Sequence, residues 1–261
     1  MSEHEHWREL SRKLDWTFSY VQEQEIYPKD MSGSPWLPLS AWKKWQEPFQ
    51  TSYTEYILQQ HEKEQQLQIL RQSLGARQHV LLAREPSWNS GLKLHHALLP
   101  LAEFAASIGN LRAGRFGRDS AWRTMSVLGA LDECRHSQIP LLLAHDAVPW
   151  DRQYDWAHKF YHTNNWVSVA ARHFFDELLL GANPIEFAIG THFVLETGLT
   201  NVQFLGLSEL ADRVNDPLIK TMFLSIQTDE ARHAQIGQAV LKIVCEHDRK
   251  YAQYLCNYPA P

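Results

Sequence analysis

The stretch LDECRHSQIP at residues 131–140 recurs further along the chain as TDEARHAQIG at residues 228–237. Both copies place an Asp–Glu pair one residue before an Arg–His pair. On an α-helix, side chains three residues apart lie on the same face, so Glu133 and His136 point to one side, as do Glu230 and His233. Each copy therefore offers one carboxylate and one imidazole to a common centre, and the repetition predicts a shared metal site.

Two further glutamates complete this pattern. Glu103 in LPLAEFAAS and Glu196 in FVLETGLTN are single acids in apolar helical runs, where an unpaired carboxylate is costly. Glu103 and Glu133 are 30 residues apart, and Glu196 and Glu230 are 34 apart. Each half thus supplies one Glu and one Glu-x-x-His, the ligand pattern of carboxylate-bridged dimetal sites in ferritin-like bundles. Four carboxylates and two imidazoles suit iron or manganese.

The residues beside these ligands predict a supporting layer. Asp132 and Asp229 are placed to accept the free N–H of a ligand histidine, which fixes its tautomer, and Arg135 and Arg232 are placed to pair with the aspartates. Ordinary salt bridges between helices are the alternative for all four. Taken singly, a Glu-x-x-His pair is common on solvated helix faces, so the prediction depends on the whole set.

Composition excludes several classes of protein. The chain has 261 residues and a formal charge of −5, which gives no reason to expect nucleic acid or an anionic membrane as a partner. No apolar run reaches membrane-spanning length, and the start MSEHEHWREL lacks the apolar core of a secretion signal. Three cysteines, an odd number without zinc-site spacing, are typical of free thiols. We therefore expect a cytoplasmic protein.

Helical periodicity predicts an all-α fold, a ferritin-like helical bundle around the dimetal site. Asp119, Asn183 and Asp216 are expected N-caps. Pro100 and Pro140 lie inside helices within about a turn of a ligand and predict local distortion. An irregular, aromatic-rich arm is expected over residues 1–50, followed by a single helical domain over 51–261. The predicted helices span residues 52–75, 88–113, 120–145, 164–181, 183–209 and 216–246.

Several long strings carry a resemblance to a known family: WTFSYV, TSYTEY, DECRHSQI, DWAHKFYHTNNWVSVAARHFFD, ETGLTNVQFLGL and SIQTDEARHAQIG. They span nearly the whole chain, which resembles the catalytic α subunit of the bacterial multicomponent di-iron monooxygenases, especially the toluene and aromatic branch. The resemblance implies two iron ions, with Mn/Fe as another pair, held by the six ligands above. It also implies O₂ as oxidant, an external electron donor such as a reductase or ferredoxin, and an effector protein as a further partner.

The resemblance also assigns residues near the metals. Thr200 matches the family's active-site threonine, with bonding back to its own helix as the alternative role. Gln227 matches a position near the ligands, and Asn201 one linked to effector contact. Leu195, Thr191 and Ala102 depart from the usual pocket residues, and the chain is shorter than the family's α subunit. The pocket implied by the resemblance is lined by Leu99, Ala102, Ala106, Phe175, Thr191, Leu195 and Phe204.

The sequence thus predicts a di-iron monooxygenase that hydroxylates an aromatic or other largely apolar small molecule. One alternative is a stand-alone di-iron oxidase, N-oxygenase or desaturase of a biosynthetic pathway, which the altered pocket favours. Non-enzymatic alternatives are iron storage on a ferritin-like bundle and a structural partner subunit. A homo- or hetero-oligomer is expected, because a shortened α subunit exposes surface that longer relatives bury.

Overall fold

The computed structural model describes residues 5–7, 9–10, 37–75, 80, 83–155, 157–180 and 183–256. These ranges contain helices and no strand, which confirms the all-α prediction, and none of their helices could cross a membrane. Besides α-helices, these ranges contain a π-helical turn at Arg71–Gly75, a 3₁₀ turn at Arg152–Tyr154 and a π-helix at Ile189–Thr200. The α-helices are α1 Leu39–Trp42, α2 Tyr53–Leu70, α3 Pro86–Phe116, α4 Ser120–Ala147, α5 Ala157–Phe160, α6 Trp166–Leu180, α7 Pro184–Ala188, α8 Asn201–Arg213, α9 Pro217–His247 and α10 Arg249–Cys256.

The predicted N-caps start three of these helices. Asp119 Oδ1 accepts backbone N–H groups at the start of α4, at 2.9 and 3.2 Å. Asn183 and Glu186 form a capping box on α7, and Asp216 accepts the backbone N–H of Ile219 on α9 at 3.2 Å. Side-chain oxygens thus satisfy amides that have no partner within the helix.

The segment predicted as one helix over 183–209 contains an unexpected change of winding. After Pro184–Ala188 the backbone becomes π-helical from Ile189 to Thr200, then returns to α-helix at Asn201. π-helical winding is often found at functional sites. This π-helix of 12 residues carries Glu196 and Thr200. Spacing rules for α-helices therefore do not apply across this segment.

The two interior prolines do not end their helices. α3 continues from Pro86 to Phe116 through Pro100, and α4 continues from Ser120 to Ala147 through Pro140. Neither helix is therefore broken at its proline. A bend at either proline stays a prediction.

Two apolar clusters fill the bundle on either side of the predicted ligands. α3 packs along α4, and α9 packs along the π-helix and α8. The first, the tryptophan cluster, comprises Leu37, Ala41, Trp42, Trp45, Ala113, Ala121, Trp122, Met125, Ile185, Ala188, Ile189, Ile236, Val240, Ile243 and Val244. The second, the phenylalanine cluster, comprises Leu67, Trp88, Leu92, Leu99, Ile139, Leu143, Phe204, Ala211, Leu218, Ile219, Met222, Phe223 and Ile226. Along α3, α4 and α9 the predicted ligands lie between the two clusters, which shield them from water.

The part of the N-terminal arm that the structure describes is anchored by tryptophans. Trp42 and Trp45 are buried, and Trp42 stacks on Trp122 of α4 with ring centroids 4.6 Å apart. The string WTFSYV at residues 16–21 lies outside the described residues. The boundary between an arm and a domain near residue 50 stays a prediction.

Candidate metal centre

The structure brings the six predicted ligands together in the middle of the bundle. Glu103 lies on α3, Glu133 and His136 on α4, Glu196 on the π-helix, and Glu230 and His233 on α9. All six are buried. Together with His192, which was not predicted, they form two groups, in each of which the ligand atoms all lie within 4.8 Å of one another. One group is Glu103, Glu133, His136 and Glu230; the other is Glu133, His192, Glu196 and His233.

Glu133 belongs to both groups, which is the position expected of a bridging carboxylate. His136 Nδ1 lies 3.1 Å from Glu133 Oε2 and 3.2 Å from Glu230 Oε1. On the other side, His233 Nδ1 lies 3.2 Å from Glu133 Oε1. Carboxylate and imidazole atoms at such spacing fit two cations that share one carboxylate.

Several of these atoms have no hydrogen-bond partner although they are fully buried. They include Glu133 Oε1, Glu196 Oε2, Glu230 Oε1 and His233 Nδ1, because the Nδ1–Oε1 pairs at 3.2 Å are not aligned as hydrogen bonds. Buried polar groups in folded proteins are nearly always satisfied, and unsatisfied ones are expensive. The convergence of such atoms on one space is the arrangement that metal coordination would satisfy, so the residues fit a dimetal centre.

The pKa shifts of the glutamates reflect their burial beside one another. Burial raises the pKa of Glu103 well above its usual range, and the charges of Glu133 and Glu230 add to this rise. Burial, with the charges of Glu196 and Glu133, also raises the pKa of Glu230 to about 8. For Glu133 burial acts against ionisation, but His233 and His136 together outweigh it and lower the pKa. Cations between these carboxylates would remove the repulsion.

Each of the two aspartates contacts the histidine of the other repeat. His136 Nε2 lies 3.2 Å from Asp229 Oδ2, and His233 Nε2 lies 3.0 Å from Asp132 Oδ2. Each aspartate thus accepts from the histidine of the other repeat. With its Nε2 proton donated outward, each ring presents Nδ1 to the centre, the orientation of a metal ligand.

The arginines also pair across the repeats. Arg232 donates to Asp132, and Arg135 donates to Asp229 at 3.2 Å and to Glu64 at 2.7 Å. The same contacts hold the aspartates in place and link α4 to α9. The arginines therefore make the predicted contacts to the aspartates and also form salt bridges between helices.

Helix α2 contributes a further layer that the sequence analysis did not find. Tyr56 donates to Asp132 at 2.9 Å, and Gln60 donates to Asp132 at 3.0 Å and to Asp229 at 2.8 Å. Lys63 forms an ion pair of 2.6 Å with Asp229. The positions 56, 60 and 63 lie on one helix face, a spacing visible in the sequence, but their target on α4 and α9 is not.

The predicted threonine reaches both of its possible partners. Thr200 Oγ1 lies 3.1 Å from Glu230 Oε2 and 3.3 Å from the backbone oxygen of Glu196. A hydroxyl has one proton, so it donates to one of them at a time. Gln227 donates to Asn201 at 3.3 Å, which joins α9 to the start of α8 beside Thr200.

The predicted pocket residues are buried or half-buried. Leu99 and Phe204 belong to the phenylalanine cluster, and the buried hydroxyl of Thr191 has no hydrogen-bond partner. Two cavities, of about 530 and 320 Å³, are lined by other residues. A substrate cavity bounded by the predicted set therefore stays a prediction. The set comprises Leu99, Ala102, Ala106, Phe175, Thr191, Leu195 and Phe204.

His192 is a member of the second group that the sequence analysis missed. Its Nδ1 lies 2.7 Å from Glu196 Oε1, and its Nε2 lies 2.8 Å from Asn110 Oδ1 on α3. Burial opposes ionisation of Glu196, but His192 and His233 together outweigh it and lower its pKa. The signal was only partial: Asn110 follows Glu103 by seven residues on one α-helical face, but His192 and Glu196 lie in the π-helix, where α-helical spacing does not predict a shared face.

Comparison with known proteins places these observations in a family. Residues 16–248 match the family described as Methane/Phenol/Alkene Hydroxylase. The chain is 34% identical over 251 residues to the oxygenase component subunit alpha of the alkene monooxygenase system of Xanthobacter autotrophicus, covering 96% of this chain and 50% of that protein. It is 27% identical over 242 residues to the oxygenase component of phenol 2-monooxygenase from a Pseudomonas species, covering 92% and 46%. The chain thus spans about half the length of these relatives.

Solved structures share the fold. The crystal structure of phenol hydroxylase from Pseudomonas sp. OX1 superimposes with a TM-score of 0.79 at 26% identity, covering 96% of this chain and 50% of that chain. A structure of toluene 4-monooxygenase with toluene in the resting active site superimposes with a TM-score of 0.77 at 18% identity, covering 97% and 86%. The second likeness supports the fold alone.

Proposed function

This chain belongs to the methane, phenol and alkene hydroxylase family, and we propose that it carries the oxygenase centre of a multicomponent monooxygenase. In this proposal two iron ions bind at the two residue groups and O₂ is the oxidant. The substrate is an aromatic or other largely apolar small molecule, which is hydroxylated or epoxidised.

The observation that carries the proposal is the pair of four-residue groups that share Glu133. Buried oxygens without hydrogen-bond partners converge there from α4, α9 and the π-helix. A bundle without a metal requirement gains nothing from burying four glutamates side by side, because each adds desolvation and repulsion.

Bound iron would supply the reduction of O₂. The protein's own residues hold and protect that site. Asp132 and Asp229 keep the histidine tautomers, the two apolar clusters exclude water, and Thr200 holds a proton at Oγ1 beside Glu230. A proton held there would be available for delivery to the centre.

Partners follow from the same family. The relatives are named as oxygenase or hydroxylase components, which implies further components in their systems. We propose that this chain receives electrons from a reductase or ferredoxin, works with an effector protein, and assembles into an oligomer.

A single-turnover experiment tests the proposal without those partners. The chain is loaded with Fe(II) without oxygen, its iron is counted, and it is exposed to ¹⁸O₂ with an alkene, phenol or toluene. The two ferrous ions supply the two electrons, so one oxygen atom enters the product and the other leaves as water. We expect two irons per chain and ¹⁸O-labelled product; Glu133→Gln should yield neither.

A different result would favour another function. Many irons per chain, oxidised without organic product, would indicate iron storage and contradict the proposal. The unpartnered hydroxyl of Thr191 favours one enzymatic alternative, a substrate with a polar group such as an amine. Adding amines to the same panel tests N-oxygenation directly.

A further inference from the structure

The second ligand group is complete only when His192 is included. The group of Glu103, Glu133, His136 and Glu230 has four residues, whereas the predicted ligands supply only Glu133, Glu196 and His233 to the other. The His192 imidazole brings the second group to four residues within the same 4.8 Å limit. It is 4% exposed, as buried as the glutamates around it.

The ring of His192 is oriented like the rings of the two predicted histidine ligands. In His136 and His233, Nδ1 faces the glutamates while Nε2 lies against an aspartate oxygen. In His192, Nδ1 faces Glu196 Oε1 and Nε2 lies 2.8 Å from Asn110 Oδ1. A carbonyl oxygen accepts only an N–H, so Asn110 Oδ1 assigns a proton to Nε2, and on the neutral ring this leaves a lone pair on Nδ1 for a metal.

The surrounding residues hold the ring in this orientation. Phe187 meets it edge to face, with centroids 6.0 Å apart, and Asn110 is 1% exposed. Gly237 of α9 allows the close approach: a Cβ there would lie 2.9 Å from His192 Cβ. A buried ring fixed on several sides is pre-organised for one role.

We infer that Nδ1 of His192 is a seventh protein ligand of the centre and binds the metal ion held by Glu133, Glu196 and His233. This inference rests on the proposed dimetal function and deepens it. The two ions then have different surroundings, since the first group has three carboxylates and one imidazole and the second has two of each. The second ion therefore receives less negative charge from its ligands.

The competing role for His192 is a hydrogen bond to Glu196 without a bond to metal. It requires a proton on Nδ1, either on a doubly protonated ring that keeps its hydrogen bond to Asn110 Oδ1 or on a neutral ring whose Nε2 accepts from a turned Asn110 amide. Both arrangements fit a distance of 2.7 Å between Nδ1 and Glu196 Oε1. Three imidazoles bind metal if His192 is a ligand, and two bind metal if it is not.

The deciding experiment is a crystal structure of the full chain loaded with Fe(II) without oxygen, together with Fe(II) titrations of variants. We expect His192 Nδ1 at bonding distance from one iron. In His192→Gln, one of the two ions should bind at least ~10-fold more weakly. His96→Gln is the matched control, because His96 is also a buried histidine but its ring lies beside Tyr154; both irons should bind it as they bind the parent chain.

Each other outcome overturns the inference in a distinguishable way. An iron pair with only His136 and His233 bound through nitrogen would make His192 a positioning residue and leave the proposed function intact. A chain that binds no iron pair would overturn both. The structure of the parent chain decides even if His192→Gln does not fold.

Discussion

At the scale of single residues, hydrogen bonds to the outer nitrogen decide what each buried histidine can do. Asp229, Asp132 and Asn110 each face an Nε2 and turn the corresponding Nδ1 towards the glutamates. The ring of His95 has no such partner on either nitrogen. The same residue type is thus oriented for metal binding in one environment and acts as a packing group in another.

Substitutions of Thr200 test whether its hydroxyl takes part in the proposed reaction. Thr200→Val keeps the side-chain shape but removes the donor 3.1 Å from Glu230 Oε2, whereas Thr200→Ser keeps the donor. We expect the valine variant to bind two irons and to form product about 10²-fold more slowly, with serine near the parent rate. Rates measured by single turnover should separate the two variants; equal rates in both would exclude a proton-delivery role.

The ring of His95 should make the folded protein less stable at acidic pH. Burial lowers its pKa to about 4, so the folded protein keeps the ring neutral while the unfolded chain protonates it below about pH 6.5. Its contribution to stability is therefore present above pH 6.5 and is lost as the pH falls towards 4, about 2 kcal/mol at pH 5. His95→Leu should reduce that loss in urea unfolding measured from pH 7 to 5. The exposed control His145→Leu should retain the parent slope; a parent slope in His95→Leu would contradict this assignment.

At the scale of elements, the π-helix is the part of the fold most closely tied to chemistry. It carries His192, Glu196 and Thr200, and it packs against α9, which carries Glu230 and His233. The close approach between them depends on Gly237, because a Cβ there would lie 2.7 Å from the backbone nitrogen of Phe193. Backbone cannot move aside as a flexible side chain can, so this contact sets the position of the ligands.

Gly237→Ala should therefore push the π-helix away from α9. We expect the free energy of unfolding to fall by about 1–3 kcal/mol, and Fe(II) stoichiometry to fall below two per chain. Gly206→Ala is the matched control, since nothing lies within 4 Å of a Cβ at this exposed position in α8. It should stabilise the protein by about 0.5–1 kcal/mol. Urea unfolding and iron titration check both variants; unchanged iron binding in Gly237→Ala would contradict the proposed coupling.

At the scale of the whole molecule, the two halves are joined through the centre. Each half supplies ligands, and each aspartate serves the histidine of the opposite half. α2 lies across both halves and adds Tyr56, Gln60 and Lys63 to the aspartates. Metal bound at such a junction links elements from all parts of the bundle, so binding and global stability are coupled.

Anaerobic Fe(II) should consequently raise the melting temperature. At a concentration 1,000-fold above Kd, one bound ion stabilises by about 4 kcal/mol, which corresponds to roughly 10 °C for a chain of this size. Glu133→Gln alters the residue common to both groups and should abolish the shift. Calorimetry with and without Fe(II) checks this, and a shift that survives in Glu133→Gln would place the bound iron elsewhere.

The affinity for Fe(II) should also depend on pH. The pKa of Glu230 is raised to about 8 in the absence of metal, so at pH 6 its proton must leave before the carboxylate can bind. Affinity should therefore rise from pH 6 to 8, with about one proton released per chain by this group. Titration calorimetry in buffers of different ionisation enthalpy measures that proton; a pH-independent affinity would contradict the assignment.

The sequence alone predicted the fold class and the capped helix starts, and it singled out six candidate ligands that the structure brings together. These follow from local rules, because residues three or four positions apart share a helix face and an N-cap acts within its own turn. Glu103 and Glu196 were recognisable because a lone acid in an apolar run needs a partner.

Only the tertiary structure decided how those residues are arranged around the centre. The crosswise pairing of His136 with Asp229 joins residues 93 positions apart, and the contact of Gln60 with Asp229 joins residues 169 apart. The π-helical winding and the inward position of His192 likewise depend on packing against α9 and α3. No local pattern encodes such contacts, since they are set by which helices pack together and at what register.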